Sequence, residues 1–277
     1  MFEYFKQAKR LEIKALEKLE AARALPEAFA GKRADFTKAL TTKADKSGLA
    51  VIAEYKRASP SQGNISLGLT PFQAVMEYYR GGAAAISVLT EKSKFKGRLN
   101  FLQKAWEGGG ELFGLPLLRK DFVFHPLQVR ASASTPASAL LLIVKLTPSA
   151  QELKTLREQA ESFGLQCVVE ILDEHDLDLA RASGAKIIQA NARDFSDLSV
   201  SLERSLTLAR KHAHESDELW IAASGFSRPE ELLSAKEAGF TAVLAGTALM
   251  SAEKPGDALK QWTSFLSASQ KSSGVLK

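Results

Sequence analysis

Charged side chains follow apolar stretches at several points of this chain, where they could act on a ligand. Glu54 and Lys56 stand two residues apart, directly after the apolar run 51–53. On a β-strand they would share one face, because successive side chains of a strand point to opposite sides. Lys120 and Glu170 end two later apolar runs in a comparable way. Since lysine and glutamate are rarely buried without partners, this recurrence predicts an anion-binding pocket that contains an acid and a base.

These positions also allow a simpler interpretation. Glu54 and Lys56 would form an ordinary surface ion pair if the segment 57–63 is a turn, and its serines, proline and glycine favour a turn. Strand ends are commonly polar, so no single one of them is decisive. The prediction of a site therefore depends on a fold that brings several strand ends together.

Eight short apolar runs alternate with amphipathic segments along most of the chain. Continuous apolar runs are typical of strands that are buried on both faces. Helical patterns lie between them, which gives the order expected of a parallel sheet with helical crossovers. The runs cover residues 51–53, 84–89, 115–118, 139–144, 166–169, 186–188, 219–222 and 241–244.

The number of repeats and the chain length favour a closed barrel. A (β/α)8 barrel typically needs about 250 residues, and this chain has 277. We therefore predict an α/β protein in which residues 1–277 form a single (β/α)8 or TIM-barrel domain. A doubly wound open sheet is the alternative, but no glycine-rich dinucleotide fingerprint follows the first run. In a barrel, the C-terminal strand ends meet at one mouth, which is where catalysis takes place.

The segment 1–48 precedes the first repeat and is predicted to be a helical extension packed on the barrel. Its first part carries a stripe of apolar residues at the spacing of a helix. A second, short helix is predicted over 35–40, followed by a polar link over 41–48. The stripe consists of Phe2, Phe5, Ala8, Leu11, Ile13, Leu16 and Leu19.

Composition favours a small anionic ligand over a macromolecular partner. The chain has 37 Lys+Arg against 32 Asp+Glu, a net charge of +5 and a pI near 9.2, which suits an anion. The basic residues are scattered and accompany no nucleic-acid-binding module. The single cysteine, Cys167, excludes an internal disulfide and favours a reducing compartment. Without a signal peptide or a long apolar span, we expect a cytoplasmic monomer that binds neither nucleic acid nor membrane.

No metal or cofactor is predicted. His212 and His214 are two residues apart, so on a helix they would face different ways, and the chain lacks the ligand spacing of a zinc site. His125 precedes Pro126, and we interpret it as a loop or helix-capping residue.

The polar strand ends resemble, in order along the chain, the motifs of the indole-3-glycerol phosphate synthase family. The first is IAEYKRASPS at 52–61, followed by SVLTE at 87–91 and LRKDF at 118–122. The later ones are LLIV at 141–144, VE at 169–170, NARD at 191–194, SG at 224–225 and GTALM at 246–250. One such motif would mean little, whereas eight in register identify a member of the family.

The resemblance implies a (β/α)8-barrel lyase of tryptophan biosynthesis. The family closes the ring of 1-(2-carboxyphenylamino)-1-deoxyribulose 5-phosphate to give indole-3-glycerol phosphate, CO2 and water. Lys120 is then the general acid at the ketone, and Lys56 pairs with the substrate carboxylate. Glu170 moves protons in the dehydration, and Glu54 holds the lysines in place. Asn191 and Arg193 address the hydroxyl and carboxylate groups.

The resemblance also assigns the parts of the pocket that bind substrate. Phosphate is expected after the last two strands, at Ser224, Gly225, Gly246 and Thr247, with help from Ser59, because free backbone N–H groups bind anions there. The aromatic ring needs apolar walls, for which Phe95, Phe122 and Leu142 are the candidates, although core packing explains these three equally well.

Two features depart from the family pattern. Ala223 stands where the family usually has a glutamate, which puts one substrate contact in doubt. The segment 131–139 is rich in alanine and serine and predicts a short or frayed helix. Two other functions remain open: another phosphate-binding barrel such as a phosphoribosyl isomerase, or an inactive barrel kept as a binding protein, for which Ala223 is the only indication.

Overall fold

Eight parallel strands form a closed barrel in the computed structural model, which describes residues 1–194, 196–213 and 217–274. The strands pair in chain order, and β1 pairs with both β2 and β8, which closes the ring. The predicted (β/α)8 barrel is confirmed, and each of the eight apolar runs overlaps a strand. The barrel strands are β1 Ala50–Tyr55, β2 Ala85–Leu89, β3 Leu117–Val123, β4 Ala139–Ile143, β5 Gln166–Ile171, β6 Ile187–Asn191, β7 Leu219–Ala223 and β8 Ala242–Ala245.

Helices cover the outside of the barrel and both of its ends. A π-helical segment, Trp106–Gly110, follows α4, and a small hairpin pairs Ala58–Ser59 with Gly63–Asn64 after β1. The helices are α1 Phe2–Ala21, α2 Phe36–Ser47, α3 Pro71–Arg80, α4 Phe101–Ala105, α5 Pro126–Ala133, α6 Ala150–Ser162, α7 Glu174–Ala182, α8 Leu202–His212, α9 Glu231–Glu237, α10 Thr247–Met250 and α11 Pro255–Gly274. His214 lies outside the described residues.

Alternate side chains of each strand point into the barrel. Ile52, Leu118 and Val168 belong to an inner apolar cluster, while their strand neighbours pack outward against the helices. The same alternation directs other residues of these strands inward, among them Glu54 and Lys120. An inward position near the N-terminal end of a strand therefore fills the core, and one near the C-terminal end reaches the mouth.

The two N-terminal helices close opposite ends of the barrel. In α2, Phe36 and Leu40 join the inner cluster, and the backbone N–H of Phe36 donates to Oε1 of Gln166 at the start of β5 (2.6 Å). At the other end, the ring of Phe5 in α1 stacks on Phe122 of β3, with 3.7 Å between centroids and 12° between planes. The extension thus seals the bottom of the barrel and covers part of its mouth.

The second helix is longer than predicted. The segment 41–47 was expected to be a polar link, but it continues α2 to Ser47. Its threonines, lysines and alanine are compatible with a helix, and the helix ends only at Gly48, whose φ of 79° is left-handed. Polarity here reflects an exposed helix face and not a loop.

The third barrel helix is short, as predicted. Helix α5 has eight residues and ends at Ala133, and its C-cap Ser134 lies two residues before Pro136. Nδ1 of His125 accepts a hydrogen bond from the backbone N–H of Leu127 (3.2 Å), which confirms the helix-capping interpretation of this histidine. The alanine- and serine-rich segment packs closely, since most of its residues are buried.

A buried ion network holds α1 on the barrel. The Asp121 carboxylate lies 2.7 Å from Nζ of Lys9 in α1 and 2.9 Å from Nη2 of Arg119. It also accepts a hydrogen bond from Oγ1 of Thr90 (2.7 Å). Burial alone would raise the pKa of Asp121, but the Lys9 and Arg119 cations hold it well below its usual range. The network follows Lys120 directly, so it couples the position of α1 to the strand that carries that lysine.

The single cysteine is buried, and burial raises the pKa of the Cys167 thiol. It faces the helices in the outer apolar layer. Among residues 1–194, 196–213 and 217–274, no helix has both the length and the apolar character needed to span a membrane.

Replacing Asp121 by alanine is expected to lower the free energy of unfolding by about 3–5 kcal/mol, because two buried cations lose their anion. Chemical denaturation measures this loss. Asp217→Ala is the matched control, since its carboxylate is 80% exposed in the pair with Lys186, and it should cost less than about 1 kcal/mol. Equal losses in the two variants would contradict the structural role of the network.

The same network predicts a pH dependence of stability. The pKa of Asp121 is lowered in the folded protein, from an unfolded value of about 3.9. Its contribution is therefore fully present above about pH 4 and is lost as the pH falls through the folded pKa. The stability gap between the native protein and Asp121→Ala, measured by urea unfolding from about pH 7 to pH 3, should stay constant and then narrow only at the acid end. A gap that is already narrowing at pH 6 would show that another group controls it.

Candidate active site

A cavity of about 340 Å³ opens at the C-terminal ends of the strands. This is the end at which barrel enzymes carry their catalytic residues. Eleven of the residues predicted from the sequence line it, and they come from β1, β3, β6 and the loops after β1, β2, β6, β7 and β8. These residues are Glu54, Lys56, Ser59, Phe95, Lys120, Asn191, Arg193, Ser224, Gly225, Gly246 and Thr247.

The carboxylate of Glu54 lies between the two lysines. Its Oε1 is 2.9 Å from Nζ of Lys56, and its Oε2 is 4.0 Å from Nζ of Lys120. Burial alone would raise the pKa of Glu54, but the Lys56 and Lys120 cations and a hydrogen bond from Ser87 lower it below its usual value. The carboxylate is therefore ionised at neutral pH, and it keeps both ammonium groups at one wall of the cavity. Lys120, at the longer distance, is the less tightly held of the two.

Gly246 leaves the space that this carboxylate occupies. A Cβ on Gly246 would overlap Oε1 of Glu54, and because that oxygen is paired with Lys56, moving it away would disturb the ion pair. The glycine of this motif is therefore required by close approach to β1, in addition to any contact with a ligand.

Two glycine-containing turns form the other wall of the cavity. After β7, Ser224 and Gly225 both have left-handed backbone, with φ of 68° and 89°. Such a conformation is uncommon for a residue with a side chain and costs energy. After β8, Gly246 and Thr247 begin the short helix α10. Ser59 approaches from the hairpin after β1, where its Oγ accepts from the backbone N–H of Gln62 (3.2 Å).

Asn191 and Arg193 stand at the border between this cavity and a smaller one beside it. Oδ1 of Asn191 accepts from the backbone N–H of Arg193 (3.0 Å), and the guanidinium of Arg193 donates to the carbonyl of Leu198 (3.0 Å). Burial lowers the pKa of Arg193, and the charge of Glu54 opposes that shift. Both side chains are oriented by these bonds before any ligand arrives.

Glu170 lines the smaller cavity and not the larger one. It shares that space with Phe2 of α1 and with Asn191 and Arg193. Its Oε2 accepts a hydrogen bond from Nε2 of Gln189 on β6 (2.6 Å), while Oε1 of Gln189 is buried without a hydrogen-bond partner in the described part of the chain. The structure therefore places Glu170 next to the main cavity, across Asn191 and Arg193.

The three predicted apolar walls have different positions. Phe95 lines the cavity, and Phe122 lies behind it with 6.2 Å between the two ring centroids, covered by Phe5. The prediction for Leu142 is wrong: this side chain is fully buried in the outer layer against the helices. Leu141, one residue earlier, points into the barrel. A continuous apolar run carries no signal of which of its residues face inward.

The sequence did not predict several apolar residues that line the cavity. Leu89 is the last residue of β2 and Leu244 the next-to-last of β8, both at inward positions, and Leu198 and Phe226 come from the loops after β6 and β7. Counting alternate positions back from the polar strand ends would have found the first two. Ala223 faces inward at the end of β7 and is paired in register with Asn191 and Leu244, so the position that usually carries glutamate lies at the mouth.

A closed barrel whose mouth holds two lysines, an ionised glutamate and two glycine-containing turns belongs to the class of (β/α)8-barrel enzymes that act on anionic substrates. Known proteins of the same fold include thiamine phosphate pyrophosphorylase from Pyrococcus furiosus, with a TM-score of 0.60 and 16% identity over 80% of this chain and 97% of that one. A 3-hexulose-6-phosphate synthase has a TM-score of 0.61 and 12% identity over 78% of this chain and 99% of that one.

Sequence comparison assigns the family. The profile of the family described as indole-3-glycerol phosphate synthase matches residues 3–262. The protein of that name from Chloroherpeton thalassium is 39% identical over 221 residues, 79% of this chain and 82% of the relative. The one from Aquifex aeolicus is 38% identical over 231 residues, 83% of this chain and 86% of the relative. The chain belongs to the indole-3-glycerol phosphate synthase family.

Replacing Gly246 by alanine is expected to lower kcat/KM about a hundredfold. The new Cβ would displace the Glu54 carboxylate and with it both lysines. Small misplacements of catalytic groups have effects of this size. Steady-state kinetics measures the loss. Gly68→Ala is the control, since a Cβ there meets no atom within 4 Å. A Gly246→Ala variant with unchanged kcat/KM would show that the close approach to Glu54 does not matter.

Proposed function

We propose that this protein closes the ring of 1-(2-carboxyphenylamino)-1-deoxyribulose 5-phosphate to give indole-3-glycerol phosphate, CO2 and water, in the mouth of the barrel. This is the carboxy-lyase reaction of its family in tryptophan biosynthesis. The observation that supports the residue roles best is the shared carboxylate of Glu54, which holds Lys56 and Lys120 at one wall of a cavity that faces two glycine-containing turns.

Lys120 acts as the general acid in this proposal. Ring closure requires the ketone oxygen to gain a proton while the aromatic carbon attacks, and an ammonium group can supply it. Nζ of Lys120 lies 4.0 Å from the Glu54 carboxylate, whereas Nζ of Lys56 lies only 2.9 Å from it. The looser lysine is free to follow the ketone oxygen, and the tighter one stays in place as a partner for the substrate carboxylate.

Glu170 moves the protons of the later steps. Loss of CO2 restores the aromatic ring, and dehydration then removes a hydroxyl group as water and a proton from the neighbouring carbon. Gln189 donates to one carboxylate oxygen of Glu170, which restrains the group in the small cavity that it shares with Asn191 and Arg193. These two residues then hold substrate hydroxyl and carboxylate groups between Glu170 and Lys120.

The phosphate is placed at the two glycine-containing turns. Ser224, Gly225, Gly246 and Thr247 line one side of the cavity, and backbone amides at such turns and helix starts favour anions. Ser59 reaches the same side from the hairpin. The aromatic ring is placed against Phe95, with Phe122 and Phe5 behind it.

The two other functions considered from the sequence account for fewer of these features. A phosphoribosyl isomerase would use an acid and a base with a phosphate site, but a substrate that also bears a carboxylate explains the additional cations Lys56 and Arg193. An inactive barrel would rest on Ala223 alone. That alanine removes one carboxylate from the wall and leaves Lys120, Glu54 and Glu170 in position.

Lys120→Met and Glu170→Gln are each expected to lower kcat at least about a hundredfold, the usual scale for a positioned acid or base. Because both act in the chemical steps, KM should change far less. The measurement is the appearance of indole fluorescence from the carboxyphenylamino substrate. Lys154→Met and Glu158→Gln are matched controls, because these residues form an exposed pair on α6 at 3.8 Å, and they should retain full turnover.

A purely structural ion network makes the opposite prediction. In that case Lys120→Met would lose stability and keep most of its kcat. A well-folded Lys120→Met variant with near-normal turnover would therefore overturn the proposed mechanism.

We also propose that the protein is a cytoplasmic monomer that binds a small phosphorylated substrate and binds neither nucleic acid nor membrane. The lone buried cysteine favours a reducing compartment.

A further inference from the structure

A second and larger cavity lies at the opposite end of the barrel. Its volume is about 890 Å³, which is within the range of small-molecule sites. It is bounded by α2, by the π-helical segment, and by residues that precede three strands, Ala84 before β2, Leu115 before β3 and Ser138 before β4. None of the proposed catalytic residues lines it. We call it the basal groove.

Cations dominate the basal groove. Five line it, Lys32, Arg33, Lys38, Lys43 and Lys46, against the two carboxylates of Asp35 and Glu111. Among the described residues, none of the four lysine ammonium groups takes part in an ion pair or hydrogen bond. One carboxylate oxygen of Asp35, Oδ1, already accepts a hydrogen bond from the backbone N–H of Lys38 at the start of α2 (2.9 Å).

Arg33 has a different role from the lysines. Its guanidinium donates to the carbonyl oxygens of Ala133 and Thr135 at 2.6 Å each, and it lies over the ring of Phe29, 5.2 Å from the centroid. These contacts fix the linker between α1 and α2 on the end of α5. Arg33 therefore forms a rigid edge of the groove, and the lysines supply its unpaired charge.

The spacing of the lysines indicates more than one anionic group on the ligand. Lys38 and Lys46 are separated by eight residues of one helix, which is about 12 Å at 1.5 Å per residue. Lys43 and Lys46 are neighbours on the helix surface at three residues. A ligand with several anionic groups matches this spacing better than a single small anion does.

The groove also has an aromatic wall. Trp106 of the π-helical segment is half-buried and lines it, and its ring meets Phe29 edge-on with 5.4 Å between centroids. An indole ring provides a flat apolar surface for a planar group. We propose that the basal groove is a second ligand site, for an organic polyanion of the chemical class of the nucleoside polyphosphates.

Calorimetric titration with ATP and with inorganic tripolyphosphate, both without metal, tests this proposal on the full chain. Lys38→Glu/Lys46→Glu is expected to raise the Kd of both anions at least tenfold. Lys14→Glu/Lys18→Glu, two exposed lysines of α1 with the same change of charge, should alter either Kd by less than about twofold. Trp106→Leu should weaken ATP more than tripolyphosphate. If the glutamate pair prevents folding, Lys38→Gln/Lys46→Gln replaces it with the same expectation.

A variant of the active-site residue Lys56 distinguishes binding in the basal groove from binding in the catalytic mouth. Lys56→Ala should leave both Kd values unchanged, and Lys38→Glu/Lys46→Glu should keep normal turnover of the carboxyphenylamino substrate, so failure of one proposal does not imply failure of the other. Loss of binding in Lys56→Ala with retention in Lys38→Glu/Lys46→Glu would overturn the basal site. Absence of binding of both anions would overturn it too, as would tighter binding of a hexaglutamate peptide, which would make the groove a surface for acidic proteins.

Discussion

The buried carboxylate of Glu54 is the interaction on which the proposed chemistry depends. Lys56, directly after β1, and Lys120 of β3 share it, and the two cations keep it ionised although it is removed from water. A charge in that position without partners would be strongly unfavourable. The arrangement is possible because β8 turns away at Gly246, where any side chain would occupy the same space. Three separate strands are thus adjusted to one another at a single carboxylate.

The two N-terminal helices give the two ends of the barrel different surfaces. Helix α1 is held over the mouth by the buried charges of Asp121, Lys9 and Arg119, and it brings Phe2 beside Glu170 and Phe5 against Phe122. Helix α2 fills the bottom with Phe36 and Leu40 and turns its lysines outward along the basal groove. Apolar side chains of the extension complete the core, and its charged side chains define what can approach each end.

The two ends of the barrel also differ in how their charged side chains are arranged. The mouth holds three cations, Lys56, Lys120 and Arg193, around the single carboxylate of Glu54, so a ligand meets an excess of positive charge in fixed positions. The basal groove leaves its lysines without such a partner among the described residues, and it offers several positive charges along one helix face. The mouth is therefore suited to one substrate in one orientation, and the groove is suited to attraction of a flexible polyanion.

The sequence alone determined the order of the elements and most of the site. Apolar runs buried on both faces predicted the eight strands. The charged strand ends, together with the resemblance to the family motifs, predicted eleven residues that line one cavity, and the strand direction of a barrel brings those ends together. Tertiary structure decided the rest. Whether Leu141 or Leu142 faces inward depends on strand register, and an unbroken apolar run does not encode it. Phe5 reaches Phe122, and Glu170 lies across Asn191, only because distant segments pack there, which local pattern and spacing cannot specify.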